Sequence, residues 1–176
     1  AYKPKKGNFP RSFTPNIALF SSGSKNAATL SQDPYIIDTL GEFELNNVVF
    51  YSIPNEKDNN ILKIATEGMT IVHVGNLKTE IDSKTMEKIN SPDILFLPVG
   101  NNEFFPTKSA ANLITALEPR IIIPLAHKCD TDPEAQPLSK FIAEVGLKPE
   151  NEGSKVIIKK RDLPQEETQL IVLDKE

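Results

Sequence analysis

The pattern of apolar positions in the first half of the chain predicts short β-strands joined by tight turns. Apolar runs bounded by turn residues predict strands at residues 17–20 and 35–38. Further strand-like segments flank Asn46-Asn47, a pair that tolerates positive backbone φ, and Glu67-Gly68. Each pair of flanking segments predicts a β-hairpin.

The pattern changes after residue 90. Residues 94–99 and 121–125 are almost wholly apolar, as in strands that are buried on both faces of a sheet. Residues 106–117 between them have apolar side chains at helical spacing. The sequence therefore predicts a βαβ unit, which we expect to be right-handed with parallel strands.

The remaining segments complete an α/β pattern. Residues 83–89 suit a short helix, and residues 136–145 predict an amphipathic helix. Residues 156–160 and 169–173 predict two closing strands that form a terminal hairpin. Antiparallel strands followed by βα elements predict sheets that are covered by helices.

Composition narrows the class of protein. A length of 176 residues favours one domain, 1–176, whose residues 1–15 form an irregular segment with three prolines and four basic residues. The net charge of −4 argues against nucleic-acid binding, which usually shows a basic excess. The single cysteine, Cys129, favours a reduced, cytoplasmic setting, and the chain has no apolar run long enough for a membrane span.

Four segments, in this order along the chain, resemble the metallo-β-lactamase superfamily. Residues 41–45 resemble the hairpin after the family's first metal loop. Residues 68–77 are similar to the strand and loop that carry an Asp bridging two metals. Residues 92–100 and 117–125 resemble the next two strands, the second of which normally ends in a metal-binding His. The resemblance covers residues 15–175, is nearest to a lactonase-like branch of small bacterial proteins, and implies an αββα sandwich.

The positions at which the family binds metal are changed in this chain. The family's first metal loop has the pattern His-x-His-x-Asp-His, and Asn76 stands where the bridging Asp is expected. The resemblance places the ligand positions on neutral side chains, namely Ser22, Ser24, Asn26, Ala27, Asn76 and Ala126. Such groups are poor zinc ligands beside imidazole and carboxylate. His127, one residue after the last position, is the one remnant, so we expect a vestigial site with no bound metal.

The start of the chain also differs from the family pattern. The family fold opens with two strands before the equivalent of residues 17–20, and Tyr2-Lys3-Pro4 resembles the end of the second one. We therefore expect the first strands to be lacking. An open sheet edge promotes aggregation, so N-terminal strands or a protein partner would complete it.

Three hypotheses for function follow. The leading one is a non-catalytic binding or structural module on a hydrolase fold, without a cofactor. The alternative is a metal-dependent hydrolase of the lactonase or phosphoesterase type that binds zinc or another divalent metal through an irregular set, His73, His127 and Asp130. The third is a nucleic-acid-associated protein, indicated only by family analogy and four basic residues, Lys3, Lys5, Lys6 and Arg11.

Overall fold

The structure is a computed structural model that describes residues 14–22, 30, 33–57, 59–100, 105–130 and 132–174. Strands dominate the first half of this part of the chain, and strands alternate with helices in the second half. The elements are β1 (Ile17–Leu19), β2 (Tyr35–Ile37), β3 (Gly41–Leu45), β4 (Val48–Glu56), β5 (Asn59–Thr66), β6 (Met69–His73), α1 (Ser83–Ile89), β7 (Ile94–Pro98), α2 (Thr107–Leu117), β8 (Ile121–Leu125), α3 (Leu138–Val145), β9 (Pro149–Asn151), a 3₁₀ turn (Lys160–Asp162) and β10 (Gln169–Val172).

Most strands belong to one eight-stranded sheet with the order β3-β4-β5-β6-β7-β8-β10-β9. Strands β3 to β6 are antiparallel neighbours, whereas β6, β7, β8, β10 and β9 run parallel to one another. Strands β1 and β2 form a separate parallel pair. The mixed sheet with its helices confirms the predicted α/β fold class.

Both predicted hairpins are present. Asn46 and Asn47 adopt φ of 52° and 62° between β3 and β4, which is the left-handed backbone that such turns require. Glu67 and Gly68 adopt φ of 49° and 71° between β5 and β6. The local choice of turn residues therefore fixes the strand register in this half of the sheet.

The predicted βαβ unit is also present, as β7, α2 and β8. Leu95 pairs with Ile122 in parallel register, and both side chains are fully buried. The helices α1, α2 and α3 pack on the face of the sheet from which these two side chains project. The main core joins sheet residues to helix residues, including Val72, Leu95, Leu97, Ile122 and Leu170 from strands and Ile89, Ala110, Leu113, Leu117 and Phe141 from helices.

The prediction of a terminal hairpin is wrong. Residues 156–158 are not a strand, and β10 lies between β8 and β9, parallel to both. The physical reason is that β10 pairs with the edge of β8 as a parallel neighbour. This pairing extends to a hydrogen bond of 2.9 Å from Gln169 N to Arg120 O. Val156 and Ile158 instead pack against a second apolar cluster on the opposite face of the sheet. The buried residues of this cluster are Met69, Ile94, Ile121, Ile123, Leu163 and Ile171.

Several predictions, most of them about the N-terminal end of the fold, are not tested by the structure. The proposed irregular segment and the remnant Tyr2-Lys3-Pro4 lie in residues 1–13, outside the described part, as do the four basic residues near the N-terminus. The completion of the sheet by other strands or by a partner stays a prediction, as does the single domain. No helix among the described residues has both the length and the apolar character to cross a membrane.

Candidate functional site

The candidate site lies at one edge of the main sheet. Strands β6, β7 and β8 are parallel neighbours, so their carboxyl ends meet at the same edge. The described residues of the loops that follow them are 74–82, 99–100, 105–106, 126–130 and 132–137. Open α/β sheets commonly bind ligands at this edge.

The loop after β6 is held by side chains. Gly75 has φ of +67°, and its N–H donates to His73 Nδ1 at 2.9 Å. The next N–H, of Asn76, donates to Asn59 Oδ1 at 2.7 Å. Asn59 is only 4% exposed, and its Nδ2 donates to Val74 O at 3.4 Å. The backbone around Asn76 therefore has a defined position.

The end of β1 meets this loop. The N–H of Asn60 donates to Ser21 O at 2.6 Å. A Cβ on Gly75 would lie 3.0 Å from the Cβ of Ser21, so the two segments are in close contact. Ser22 follows directly and is half-buried. Ser22 and Asn76, two residues of the predicted vestigial region, therefore lie in adjacent segments although they are 54 positions apart in the sequence.

The loops after β7 and β8 also touch. Gly100 packs so closely on Ala126 and His127 that a Cβ at Gly100 would collide with the Cα of His127. Ala126 adopts the left-handed φ of 55°, which bends the chain as it leaves β8. His127 is half-exposed, and its Nδ1 lies 3.4 Å from the carbonyl oxygen of Lys128.

The predicted site residues are therefore only partly brought together. Ser22 and Asn76 lie in neighbouring loops, whereas His127 lies in the loop after β8, two strands away from β6. Ser24 and Asn26 lie outside the described residues.

The irregular metal set of His73, His127 and Asp130 is wrong. His73 stacks on Phe96, with ring centroids 6.2 Å apart, on the sheet face of the second cluster. Burial lowers the pKa of His73 to about 4, so its ring is neutral at pH 7. Asp130 is exposed. In the described ranges, no three His, Cys, Asp or Glu residues are grouped so as to hold a metal ion.

Sequence reasoning missed two residues beside the site. Asn59 and Glu56 belong to a polar segment that gives no local signal of a role. Glu56 Oε1 accepts hydrogen bonds from Lys78 N at 2.9 Å, Thr79 N at 2.7 Å and Thr79 Oγ1 at 2.8 Å. Partial burial opposes ionisation, but these hydrogen bonds outweigh it and lower the pKa of Glu56.

Comparison with known proteins identifies the class. A family profile described as "Beta-lactamase superfamily domain" matches residues 2–126, which is most of the chain. The protein therefore belongs to the β-lactamase superfamily, as the resemblance implied.

Two curated relatives are similar over shorter segments. One is a UPF0173 metal-dependent hydrolase of Lysinibacillus sphaericus, 34% identical over 61 residues, or 35% of this chain and 27% of the relative. The other is a UPF0173 metal-dependent hydrolase of Methanopyrus kandleri, 25% identical over 88 residues, or 48% of this chain and 37% of the relative. The matched segments thus span about a quarter to a third of these relatives.

Solved structures share the fold. A Thermotoga maritima protein, provisionally described as a zinc-dependent hydrolase of the metallo-β-lactamase superfamily, superposes with a TM-score of 0.81 at 20% identity, covering 95% of this chain and 87% of its own. Igni18, a metallo hydrolase of Ignicoccus hospitalis, superposes with a TM-score of 0.58 at 14% identity, covering 78% and 74%. At these identities the likeness shows the fold alone.

These comparisons correct two predictions. The leading hypothesis, a non-catalytic binding or structural module, is contradicted because both curated relatives are named metal-dependent hydrolases. The expectation of no cofactor is contradicted by the same names. The error came from treating neutral residues at the ligand positions as sufficient to exclude the reaction class.

Proposed function

We propose that the protein acts as a metal-dependent hydrolase whose substrate binds at the carboxyl edge of β6, β7 and β8. The observation that carries the proposal is the family match over residues 2–126. The matched range includes Ser21–Ser22 and Gly75–Asn76, two loop segments that contact each other at this edge. It also includes Gly100. The names of the two curated relatives support the reaction class.

The described side chains do not fit a pair of metal ions. The amide of Asn76 has no charge to offset two cations. No group of three His, Cys, Asp or Glu suited to a metal is found in the described segments. The metal dependence in this proposal therefore rests on the relatives and not on a ligand set.

His127 is the residue we propose to act on the substrate. Among the described residues of the loops at this edge, His127 is the histidine, and its side chain is half-exposed. A histidine can bind an oxyanion or transfer a proton near neutral pH.

For the substrate we propose a lactone or a phosphate ester, the two substrate classes of the metal-dependent hydrolase hypothesis. We place the activity in the cytoplasm, because a chain with one cysteine suits a reducing compartment.

The test is a hydrolysis assay with added metal. Purified protein is incubated with Zn²⁺, Mn²⁺ or Co²⁺ and assayed on panels of lactones and phosphodiesters, with a chelator as the blank. We expect metal-dependent turnover that falls at least about tenfold in His127→Ala. Lys140→Ala, an exposed change on α3, is the control and should keep full activity. Absence of turnover on every panel, with no metal retained by the protein, would overturn the proposal.

A further inference from the structure

The turn between β4 and β5 makes side-chain hydrogen bonds to the loop that follows β6. Glu56 is the last residue of β4, and Asn59 is the first residue of β5. The register of the two strands shifts near Pro54 and Glu56, so this end of the pair is irregular. We call residues 56–59 the β4–β5 turn and residues 74–79 the site loop.

Asn59 directs its amide group into the site loop. Its Oδ1 accepts from Asn76 N at 2.7 Å, and its Nδ2 donates to Val74 O at 3.4 Å. Oδ1 also occupies the space in which a Cβ of Gly75 would lie. A buried amide is costly unless its groups are paired, and these two hydrogen bonds pair the amide of Asn59 with backbone atoms of the site loop.

Glu56 holds the other end of the same loop. One carboxylate oxygen, Oε1, accepts from Lys78 N, Thr79 N and Thr79 Oγ1 at 2.7–2.9 Å. Hydrogen bonds to an ionised acceptor are shorter and stronger than neutral ones. The two side chains together make five hydrogen bonds to the loop, at Val74, Asn76, Lys78 and Thr79.

The site loop is also anchored in the main core, where Val74 and Leu77 are fully buried. It follows the last ladder pair of β6, and the hydrogen bond of Val74 N to Phe96 O is long, at 3.4 Å. Gly75 N is bound by the His73 ring and not by a strand. Asn76 therefore lies between two buried residues of the loop, and the hydrogen bonds to Asn59 and Glu56 add to that anchoring.

We propose that Glu56 and Asn59 are positioning residues that fix the site loop, and with it Asn76, in the geometry that the reaction requires. Neither side chain is proposed to touch substrate. The inference rests on the proposed function for what the loop is positioned to do.

The first experiment measures amide hydrogen exchange by NMR in the full chain. In Asn59→Ala we expect the Asn76 amide to exchange about tenfold faster, because it loses its acceptor. Asn59→Asp keeps an oxygen acceptor for Asn76 and should restore most of the protection. In Glu56→Ala we expect faster exchange at Lys78 and Thr79, and Glu56→Gln should restore part of it.

The matched control is Glu87→Gln, an exposed change of the same kind on α1, which should leave all of these amides unchanged. If Asn59→Ala does not fold, the Glu56 variants carry the test, because Glu56 is only partly buried. Unchanged exchange at Asn76, Lys78 and Thr79 in every folded variant would overturn the proposal.

The second experiment separates positioning from fold stability. Turnover in the presence of added metal is measured for wild type, Asn59→Ala and Asn59→Asp on a substrate that the wild type hydrolyses. A positioning role predicts kcat/KM about tenfold lower in Asn59→Ala and restored in Asn59→Asp, at temperatures where all three remain folded. Equal kcat/KM in the three proteins would overturn the proposal. If the wild type shows no turnover, the proposed function fails, and amide exchange alone then decides whether these residues hold the loop.

Discussion

The carboxamide oxygen of Asn59 accepts a hydrogen bond of 2.7 Å from the backbone N–H of Asn76. This bond joins the start of β5 to the loop after β6, across 17 positions of sequence. The same oxygen fills the space beside Gly75 that a side chain would need. The geometry of the candidate site thus depends on a residue that shows no sign of a role in the local sequence.

Gly75→Ala should be more destabilising than a glycine change elsewhere with the same backbone conformation. Gly75 and Gly146 have φ of +67° and +69°, but only a Cβ at Gly75 would meet other atoms, among them Asn59 Oδ1. We expect Gly146→Ala to cost about 1 kcal/mol and Gly75→Ala about 3 kcal/mol or more. Urea unfolding measures both free energies. Equal losses would show that the contact with Asn59 is not tight.

The stability of the protein should fall as the pH is lowered from about 6.5 to 4. The pKa of His73 is about 4 in the fold, against 6.5 for an ordinary histidine, so the unfolded chain binds a proton that the folded chain excludes. The stabilisation is present above pH 6.5 and is lost progressively as pH approaches 4, by up to about 3 kcal/mol.

Urea midpoints between pH 4 and 7 check this prediction. His73→Phe keeps a ring against Phe96 and should flatten the pH dependence in this range. Asn112→Gln, an exposed change of a side chain that does not titrate, should leave it as in the wild type. The account of His73 is wrong if His73→Phe and the wild type lose stability in parallel.

Asn76→Asp should strengthen metal binding. The change restores a carboxylate at the position where the family resemblance expects one, and a charge near a divalent cation is worth more than an amide dipole. We expect the affinity for Zn²⁺ or Mn²⁺ to rise at least about tenfold, measured by calorimetry. Asn112→Asp adds the same charge on the exposed side of α2 and should have little effect. Similar gains in both variants would mean that the site edge is not involved.

Replacing Asp93 should lower the free energy of unfolding more than replacing its ion-pair partner, Arg120. Its Oδ2 accepts from Thr70 N at 2.7 Å, and its Oδ1 lies 3.4 Å from Arg120 Nε. Asp93→Ala leaves a backbone donor unpaired and should cost about 2 kcal/mol. Arg120→Met removes a 41% exposed ion-pair partner and the hydrogen bond of 3.3 Å from its Nη1 to Pro164 O, and should cost about 1 kcal/mol. A larger loss for Arg120→Met in chemical denaturation would reverse this interpretation.

The parts of the fold that could be predicted are those fixed by local chemistry. Asn46-Asn47 supplies the positive φ of a hairpin, and the apolar runs of β7 and β8 are those of strands covered on both faces. Residues 169–173 were predicted as a strand and β10 spans Gln169–Val172, but β9 and the pairing of the terminal strands could not be predicted in the same way. The residues of β9 are Pro, Glu and Asn, with no apolar pattern, and their place is set by pairing with β10.

The sheet edge that Asn76 and His127 share could be predicted from the order of the strands. Asn76 and His127 do lie in loops at one edge of the sheet, because parallel strands end together. His73 was wrongly grouped with them, since the alternation of β6 turns its ring towards Phe96. Glu56 and Asn59 were missed because their contacts are with residues 15 to 23 positions away.

The most direct test of the account is to locate a bound metal by NMR with Mn²⁺, a paramagnetic ion that broadens the signals of nearby amides. The account predicts substoichiometric Mn²⁺ to broaden Gly75, Asn76, Gly100 and His127 first, since their loops share the carboxyl edge of the sheet. The broadening should disappear on addition of a chelator. Broadening that is absent, or that centres instead on the acidic surface around Glu150 and Asp174, would contradict the claim that this edge is the site of a metal-dependent hydrolase.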